Sequence, residues 1–269
     1  MSVREWRKAW RQQAKRILGI RRIADLPSSV VLWAGPSALD GTPIMAVAMR
    51  AGEKSSDNGK TGDMIQIAIM RQDMSPAEAY AAGLDGAVCP EDCVHISKAR
   101  GGWGTCYVNK AKLRSAWERA ARLVKAGEIG APAGFFRGAY VRIGNEGDGA
   151  AAPLHIWIEI TEEAAGHTAY TAEWRNLGPG WARLFMASVS SPADALRARS
   201  KGWRFFASSM APSQDAGLAE ISGLCPSDSH GLSCLACRKC DGTDKGARRP
   251  SVWIPGHGLT GAAFRRKAE

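Results

Sequence analysis

Residues 138–153 read GAYVRIGNEGDGAAAP, and this stretch decides the fold class. Its first half, GAYVRIG, has the alternating apolar and β-branched residues of a strand. The glycine-rich segment NEGDG ends that strand, and the apolar spacing of residues 153–165 predicts a helix directly after it. A strand that leads through a short loop into a helix is the repeating unit of α/β proteins, so we expect a sheet with helices packed on it.

Segments on both sides extend this pattern. Towards the N-terminus, the sequence predicts three strands within residues 28–71, a short helix in SPAEAYAAG and a longer helix from about residue 107. Towards the C-terminus it predicts four strands and one helix: HTAYTAEW, RLFMASVS, WRFFASS, PSVWIPGHG and the helix PADALRARSKG. The prediction is an α/β fold, either an incomplete β/α barrel or a mixed sheet with helices, plus a cysteine-rich metal-binding loop near the C-terminus. Chemistry is then expected on loops at the strand ends.

The composition fits a globular protein: 269 residues, 45% of them hydrophobic, including ten tryptophans. No apolar run approaches the roughly 20 residues of a membrane span. The N-terminus has no apolar segment followed by a small-residue cleavage site, so no secretory leader is predicted and a cytoplasmic location is expected. In that reducing compartment, clustered cysteines are more often metal ligands or redox groups than disulfides, and an odd count of seven fits poorly with full pairing.

The net charge of +10 is concentrated at the two ends of the chain. Residues 1–23 carry eight Lys/Arg and one Glu, and residues 238–269 carry eight Lys/Arg and three acids. We expect a basic N-terminal helix at 1–23, an α/β metal-binding domain at 24–258 and a basic tail at 259–269. The basic ends predict contact with a polyanion such as nucleic acid, although a solvated helix and a solvated tail explain the same charges.

Four cysteines lie in the segment CPSDSHGLSCLACRKC, and we call them the second cysteine group: Cys225, Cys234, Cys237 and Cys240. The overlapping CxxC steps are similar to the cysteine runs that hold iron–sulfur clusters. Zinc accepts the same four thiolates in a tetrahedral site, so both metals remain open. Since four thiolates complete a metal site, we expect this group to be closed and structural. A chance cluster of reduced thiols is the alternative.

The first cysteine group is Cys89, Cys93 and Cys106, within CPEDCVHISKARGGWGTC. Three thiolates leave one coordination position free. His95 could close a zinc site there, or an open position on a [4Fe–4S] cluster could bind a small molecule. The glycines within residues 101–104 permit a return loop that brings the three thiols together. The alternative is one structural site in which some of the seven cysteines take no part.

Two acidic residues, Glu146 and Asp148, follow the strand that opens this section. Glycines beside them allow the backbone of a ligand site to approach closely. Carboxylates at a strand end suit the binding of an amino or hydroxyl group, and we take both as candidate catalytic residues. A plain turn explains the same residues equally well.

Several segments resemble a cysteine-cluster family encoded by bacteriophages and other mobile elements. They are spread over roughly residues 30–258: WAGPSALDG, CPEDC…GTCYV, RIGNEGD, TAYTAEW, FMASVSSPADALRARSKGWRFF and CPSDSH…CLACRKCDG. More distantly, the chain is similar to phage proteins related to radical S-adenosylmethionine enzymes and spore photoproduct lyases. The resemblance implies a partial β/α barrel and, for a phage protein, the host cytoplasm.

The resemblance also implies a cofactor and its ligands. Cys89, Cys93 and Cys106 would hold an open [4Fe–4S] cluster, and Gly144, Glu146 and Gly147 would stand where the family binds the amine of S-adenosylmethionine. The usual signature of that superfamily is CxxxCxxC. In this chain the third cysteine follows the second after twelve intervening residues, which is a departure from the signature.

Two functions are favoured at this point, beside a host-interaction or regulatory role that the sequence neither supports nor excludes. The first is a metalloprotein with one or two iron–sulfur clusters that acts as a radical S-adenosylmethionine-like enzyme on nucleic acid or nucleotides. The second is a zinc-stabilised nucleic-acid-binding protein without catalytic activity, whose basic ends contact phosphates.

Overall fold

The described part of the chain, in a computed structural model, comprises Glu5 and residues 27–51, 58–243, 249–256 and 258–267. The predicted basic helix at 1–23 therefore lies outside the described residues, apart from Glu5. Within the described ranges the strands are β1 Ser29–Pro36, β2 Pro43–Met49, β3 Ile65–Arg71, β4 Tyr140–Glu146, β5 Gly166–Thr171, β6 Met186–Val189, β7 Phe205–Ser209, β8 Gly223–Leu224 and β9 Val252–Pro255.

These strands form one nine-stranded, mostly parallel sheet in the described residues. The order in space follows the chain from β1 to β7 and ends with β9 and then β8 at the far edge. β1, β2 and β3 are antiparallel neighbours, and from β3 onwards every neighbouring pair is parallel. Strands covered on both faces are typically apolar runs, and β3 (IQIAIMR) fits this rule except for a buried glutamine. The α/β prediction is confirmed at this level.

The helices alternate with the parallel strands. In the described residues they are α1 Pro76–Ala82, α2 Arg114–Ala126, α3 Leu154–Glu163, α4 Pro179–Ala182, α5 Pro192–Ser200, α6 Asp215–Ile221, α7 Pro226–Ser229, α8 Cys234–Cys237 and α9 Gly258–Lys267. The short helix predicted in SPAEAYAAG is α1, which starts with a capping box between Ser75 and Glu78 and ends at Gly83 in the left-handed conformation.

The two faces of the parallel sheet differ in character. On β4, Val141 and Ile143 join a large apolar core that also contains the fully buried Trp157 of α3. Successive residues of a strand point to opposite faces, so Arg142 and Gly144 lie on the other face. We call this second face the polar face, because Arg142 and both cysteine groups lie on it beside smaller apolar clusters.

Several elements differ from the sequence prediction. The helix expected from about residue 107 begins later, with a 3₁₀ turn at Lys110–Leu113 that leads into α2. The delay arises because Asn109 has non-helical backbone angles (φ −79°, ψ 86°). α6 and the two-residue β8 were not predicted. Within the segment predicted as a basic tail, Gly258–Lys267 forms α9, and Arg265 donates hydrogen bonds to Ser209 and Asp215. No helix among the described residues has the length and apolarity to traverse a bilayer.

Candidate metal centre

The first cysteine group lies on a loop whose two arms, residues 94–96 and 102–104, are joined by backbone hydrogen bonds. The N–H of Trp103 donates to the carbonyl of Val94 at 3.1 Å, and the N–H of Gly104 donates to the carbonyl of Ile96 at 3.0 Å. Cys93 directly precedes the first arm, and Cys106 follows the second after one residue. The backbone pairing therefore brings these two cysteines to the same end of the loop.

The return of this loop depends on a glycine. A Cβ atom at Gly102 would lie 2.5 Å from the carbonyl oxygen of Ile96, closer than any real contact of this kind, so a larger residue would push the arms apart. Across the same arms, Nδ1 of His95 lies 2.7 Å from the hydroxyl of Thr105. The return loop expected from the glycines of 101–104 is present.

Cys89 is held at the base of the loop by its backbone. Its N–H donates to the carbonyl of Asp85 at 2.8 Å, and its carbonyl accepts a hydrogen bond from Arg100 at 3.0 Å. Arg100 also lies 3.5 Å from the buried carboxylate of Asp85. Cys89 is thus fixed between the start and the end of the same loop.

Lys110 joins the first cysteine group to the end of β4. Its Nζ donates to Sγ of Cys106 at 3.0 Å and to Oε2 of Glu146 at 2.9 Å, and both charged side chains are almost fully buried. Burial opposes the charge of Lys110, but Glu146 and Cys106 outweigh that effect and raise its pKa. A buried ion pair therefore lies beside the thiol of Cys106.

Glu146 projects from a turn that requires glycines. Gly144 and Gly147 have φ values of +77° and +72°, which favour glycine. A Cβ atom at Gly147 would also lie 2.5 Å from the carbonyl oxygen of Ile69 on β3. The predicted glycine-flanked acidic segment is thus present at the carboxyl end of β4, beside the neighbouring strand.

Asp148 holds the surrounding loops together. Its N–H donates to the carbonyl of Val88 at 2.7 Å, and its carboxylate accepts from the N–H groups of Ala150 at 2.9 Å and Ala172 at 2.7 Å. Burial raises its pKa to about 6, against the opposing effect of these hydrogen bonds. Since both carboxylate oxygens are engaged by backbone, the geometry gives Asp148 a positioning role.

All three thiols of the first group line one cavity of about 120 Å³, which we call the first cavity. Glu146, Asp148 and the glycines at 144 and 147 line it too, together with His95 and Lys110. Because Nδ1 of His95 is engaged by Thr105, only Nε2 of the ring is left to meet a ligand. Burial lowers the pKa of His95 to about 4, so the ring is neutral at pH 7.

The segment that carries the second cysteine group crosses the sheet from the β9 side towards the start of β3. The N–H of Cys225 donates to the carbonyl of Trp253 on β9 at 2.8 Å. At the other end, the N–H of Cys234 donates to the carbonyl of Lys60, just before β3, at 3.0 Å. The segment of 225–240 therefore connects β9 with the start of β3 by backbone hydrogen bonds.

Arg204 anchors the far end of this segment. Its guanidinium donates to the carboxylate of Asp241 at 3.1 Å and to the carbonyl of Pro250 at 3.0 Å. It also donates to the carbonyls of Lys239 and Gly242, both at 2.5 Å. Both Arg204 and Asp241 are buried, so one ion pair and several carbonyl contacts fix the chain that follows Cys240.

All four thiols of the second group line a second cavity, of about 240 Å³. It is basic: four cationic side chains line it, and the lining contains no Asp or Glu within the described residues. The cations are Lys60, Arg142, Arg238 and Lys239.

The two cavities are neighbours and share part of their lining. Tyr107, Arg142, Tyr170 and Phe206 line both of them. Side chains alternate along β5, so that Tyr170 lies on the cavity side while His167 contacts the carbonyl of Leu184 at 2.9 Å. The sequence separates the two cysteine groups by more than 100 residues, and the fold brings them to the same face of the sheet.

Burial keeps several of these thiols protonated. It raises the pKa of Cys89 well above its ordinary value and the pKa values of Cys93 and Cys240 to about 12. Cys234 and Cys237 shift in the same direction for the same reason. Metals bind thiolates, so any metal that binds these groups must displace protons.

In the part of the chain that the structure describes, no three His, Cys, Asp or Glu side chains are grouped closely enough to hold a single metal ion. Four thiolates on one zinc ion, with bonds of about 2.3 Å, have sulfurs only about 4 Å apart. Neither cysteine group therefore has the geometry of a site that is ready to bind a single metal ion.

Several residues of the site were not predicted. Lys110 follows Cys106 by four positions, and Arg142 interrupts the apolar residues of YVRIG. The sequence feature that could have indicated a role for Arg142 was the presence of a basic residue inside an otherwise apolar strand. Nothing local distinguishes Arg204 from the other basic residues of its segment.

Comparison of the chain with protein-family models, with curated proteins and with solved structures finds no match. The functional argument therefore depends on the geometry of the two cavities.

Proposed function

We propose that this protein is an iron–sulfur enzyme in which Cys89, Cys93 and Cys106 hold a [4Fe–4S] cluster with one iron not bonded by the protein. The observation that carries the proposal is the first cavity, which three thiols and Glu146 line together at the carboxyl end of a parallel strand. Such strand ends are where α/β proteins place their chemistry.

The cysteine arrangement favours a cluster over a zinc ion. The thiolates of a cluster bond different irons, so they stand further apart than the ligands of one ion. This agrees with cysteines that share a cavity without forming a one-ion group in the described residues. His95 is held by Thr105 through Nδ1 and keeps Nε2 for a ligand, so it is the candidate fourth ligand if the site binds zinc instead.

We also propose that the sheet curls into an incomplete β/α barrel. Arg142 on β4 and Phe206 on β7 line the same cavities although three strand spacings, about 14 Å in a flat sheet, separate their strands. The hydrogen bonds from the second cysteine group to the segment before β3 support the same curvature. The polar face of the sheet would then be the interior.

Glu146, with Gly144 and Gly147, is proposed to bind the amine of S-adenosylmethionine. Oε2 of the buried carboxylate accepts a hydrogen bond from Lys110, and the carboxylate also lines the first cavity, so an amine bound there would share Glu146 with Lys110. Gly144 and Gly147 line the first cavity beside Glu146, which places their backbone next to a ligand bound there. When bound, the cluster would supply one electron to a molecule held at its open iron.

The second cysteine group is proposed to hold a second, closed metal centre through Cys225, Cys234, Cys237 and Cys240. All four thiols line one cavity, which is the support for a shared centre. A [4Fe–4S] cluster is our first choice because of the overlapping CxxC steps, with zinc as the alternative.

Purification without air tests this proposal. We expect brown protein with iron and acid-labile sulfide, and a reduced cluster whose electron paramagnetic resonance spectrum changes when S-adenosylmethionine is added. Cys93→Ser should abolish that change, whereas Cys237→Ser, the matched variant in the second group, should leave the first cluster's spectral response in the folded fraction. Colourless protein that contains only zinc would overturn the proposal and favour the zinc-stabilised nucleic-acid-binding alternative.

Nucleic acid or nucleotides are the proposed substrates, because eight Lys/Arg and one Glu in residues 1–23 form a strongly basic segment. Deletion of residues 1–23 should weaken binding to a DNA or RNA oligonucleotide and flatten its salt dependence, since fewer counterions are released. If the truncated protein binds the oligonucleotide with an unchanged salt dependence, residues 1–23 do not contact the nucleic acid.

A further inference from the structure

The wall between the two cavities contains a buried arginine with no acidic partner. Arg142 on β4 is 9% exposed and lines both cavities. Its guanidinium hydrogen-bonds to Tyr107 and lies over the ring of Tyr170, at 5.7 Å from the ring centre. Among the described residues no carboxylate forms an ion pair with it. A buried cation of this kind is costly unless something anionic meets it.

Among the described residues, buried polar atoms without a hydrogen-bond partner also lie on β3 and β5, the two strands beside β4. Gln66 on β3, Arg142 on β4 and Thr168 on β5 stand at the same register position of the sheet. Within the described residues, Oε1 of Gln66, Nε of Arg142 and Oγ1 of Thr168 are buried and have no hydrogen-bond partner. Buried polar atoms without a partner are uncommon, and Arg142 and Thr168 both line the second cavity. Both a donor and a hydroxyl are therefore available to a ligand there.

The net positive charge of the second cavity also favours the binding of an anion. Four thiolates with a zinc ion, or with a [4Fe–4S]²⁺ cluster, carry about −2 in total. Four cationic side chains line the cavity and no carboxylate does so in the described residues. Asp228 is near enough to act on the charge of Lys60, but it is not part of the lining. A net positive charge remains after the metal and Asp228 are counted.

The shared wall supplies flat aromatic surfaces beside these charges. The rings of Tyr170 and Phe206 lie 4.9 Å apart at 55°, and Tyr107 stands 45% exposed next to them. Aromatic side chains next to basic residues are the usual means of binding a nucleobase together with its phosphate.

We propose that the second cavity binds a nucleotide, with its phosphate on Arg142, Lys60 and Lys239 and its base on the Tyr107, Tyr170 and Phe206 wall. The nucleotide would lie between the two cysteine groups, because its main contact, Arg142, lines both cavities. Its role as a substrate rests on the proposed iron–sulfur function. The anion site itself needs no metal.

Titration calorimetry on the full chain, purified without air, tests the site with adenosine 5′-monophosphate and adenosine as probes. We expect the monophosphate to bind at least about tenfold more tightly than adenosine, as charge-assisted hydrogen bonds to phosphate require. Arg142→Gln should weaken monophosphate binding at least about tenfold. The matched control, Arg197→Gln on the exposed surface of α5, should leave it unchanged.

Circular dichroism establishes whether the Arg142→Gln protein is folded. If it is not, Lys239→Gln, at a less buried position of the same cavity, serves as the second variant and should weaken binding severalfold. Unchanged monophosphate affinity in the folded variant, or equal affinity for adenosine and its monophosphate, overturns the proposal.

The same preparations separate this inference from the proposed function. Monophosphate binding that depends on Arg142 in protein without iron would keep the nucleotide site and overturn the iron–sulfur function. Iron-loaded protein that binds no monophosphate would do the reverse.

Discussion

The two cysteine groups are built in opposite ways. The first lies on one loop of about twenty residues whose arms pair with each other, and the buried Lys110–Glu146 ion pair adjoins it. The second depends on distant segments, because its backbone bonds reach Trp253 on one side and Lys60 on the other. Its cavity is basic, whereas the first cavity contains carboxylates. We infer from this difference that changes in the first group should disturb the fold less than changes in the second, whose hydrogen bonds join distant segments.

The largest effect should come from the cysteines themselves. Cys237→Ser should lower the free energy of unfolding by more than about 5 kcal/mol, since the metal proposed for the second group would contribute on the order of 10 kcal/mol to folding. Cys93→Ser, the matched change in the first group, should cost less than about 2 kcal/mol. Urea unfolding measures both. Equal losses in the two variants would abolish the distinction between the groups.

Arg204 offers a test of the second group that leaves every thiol intact. Arg204→Leu should cost about 4 kcal/mol, because Asp241 loses a buried partner and several carbonyls lose their donor. Alkylation mapped by mass spectrometry should then show faster labelling of Cys240 and unchanged labelling of Cys89. Arg199→Leu on the exposed side of α5 is the control, expected within about 0.5 kcal/mol of the parent. A stable Arg204→Leu protein would contradict the anchoring role.

The first group should respond to Lys110 in a more limited way. Lys110→Met leaves Glu146 buried and unpaired, so it should cost about 3 kcal/mol. Glu146→Gln in the same chain should restore part of this loss, because the unpaired charge is then gone. The double-mutant cycle gives the coupling, expected between about 0.5 and 3 kcal/mol. Additive losses would mean that the ion pair has no energetic role.

The smallest effect concerns a contact remote from both groups. Partial burial opposes the charge of Asp215, but hydrogen bonds from Arg265 and Ser209 outweigh it and lower its pKa. A lowered carboxyl pKa contributes stability above the unfolded pKa of about 4, and this contribution disappears as the pH falls through the folded value. Arg265→Gln should therefore cost at most about 1 kcal/mol at pH 7 and nothing at pH 2.5.

Arg266→Gln, on the next and exposed position of α9, is the control for that prediction. A loss that persists at pH 2.5 would assign the effect of Arg265 to packing and not to the ion pair with Asp215.

The sequence predicts much of the sheet and little of the cavities. β2, β3 and β4 are apolar runs bounded by turn residues, so their positions follow from local pattern. β8 has only two residues, too few for any periodicity. The cysteines of each group could be assigned together from spacing alone.

Other features of the site depend on the tertiary fold. Alternation places Arg142 opposite the apolar core, on a face that parallel sheets usually cover with apolar residues, so the local pattern does not show what surrounds a basic residue there. Only the path of the chain, with residues 225–240 lying over the same face, makes that position buried. The proximity of the two cysteine groups has the same origin and leaves no sign in the local sequence.

The link between Cys234 and Lys60 also sets an order of events during synthesis. The loop of the first cysteine group and its β4 contacts are complete once about residue 146 has been made, whereas the bond from Cys234 to Lys60 joins segments more than half the chain apart. Contacts so distant in sequence form slowly and late. At about 5–20 residues per second, ribosomes add the residues between about 146 and Cys234 in roughly 5–20 s. During that time residues 225–240 do not yet cover the face of the sheet that carries Arg142, and the bond from Cys234 to Lys60 forms afterwards.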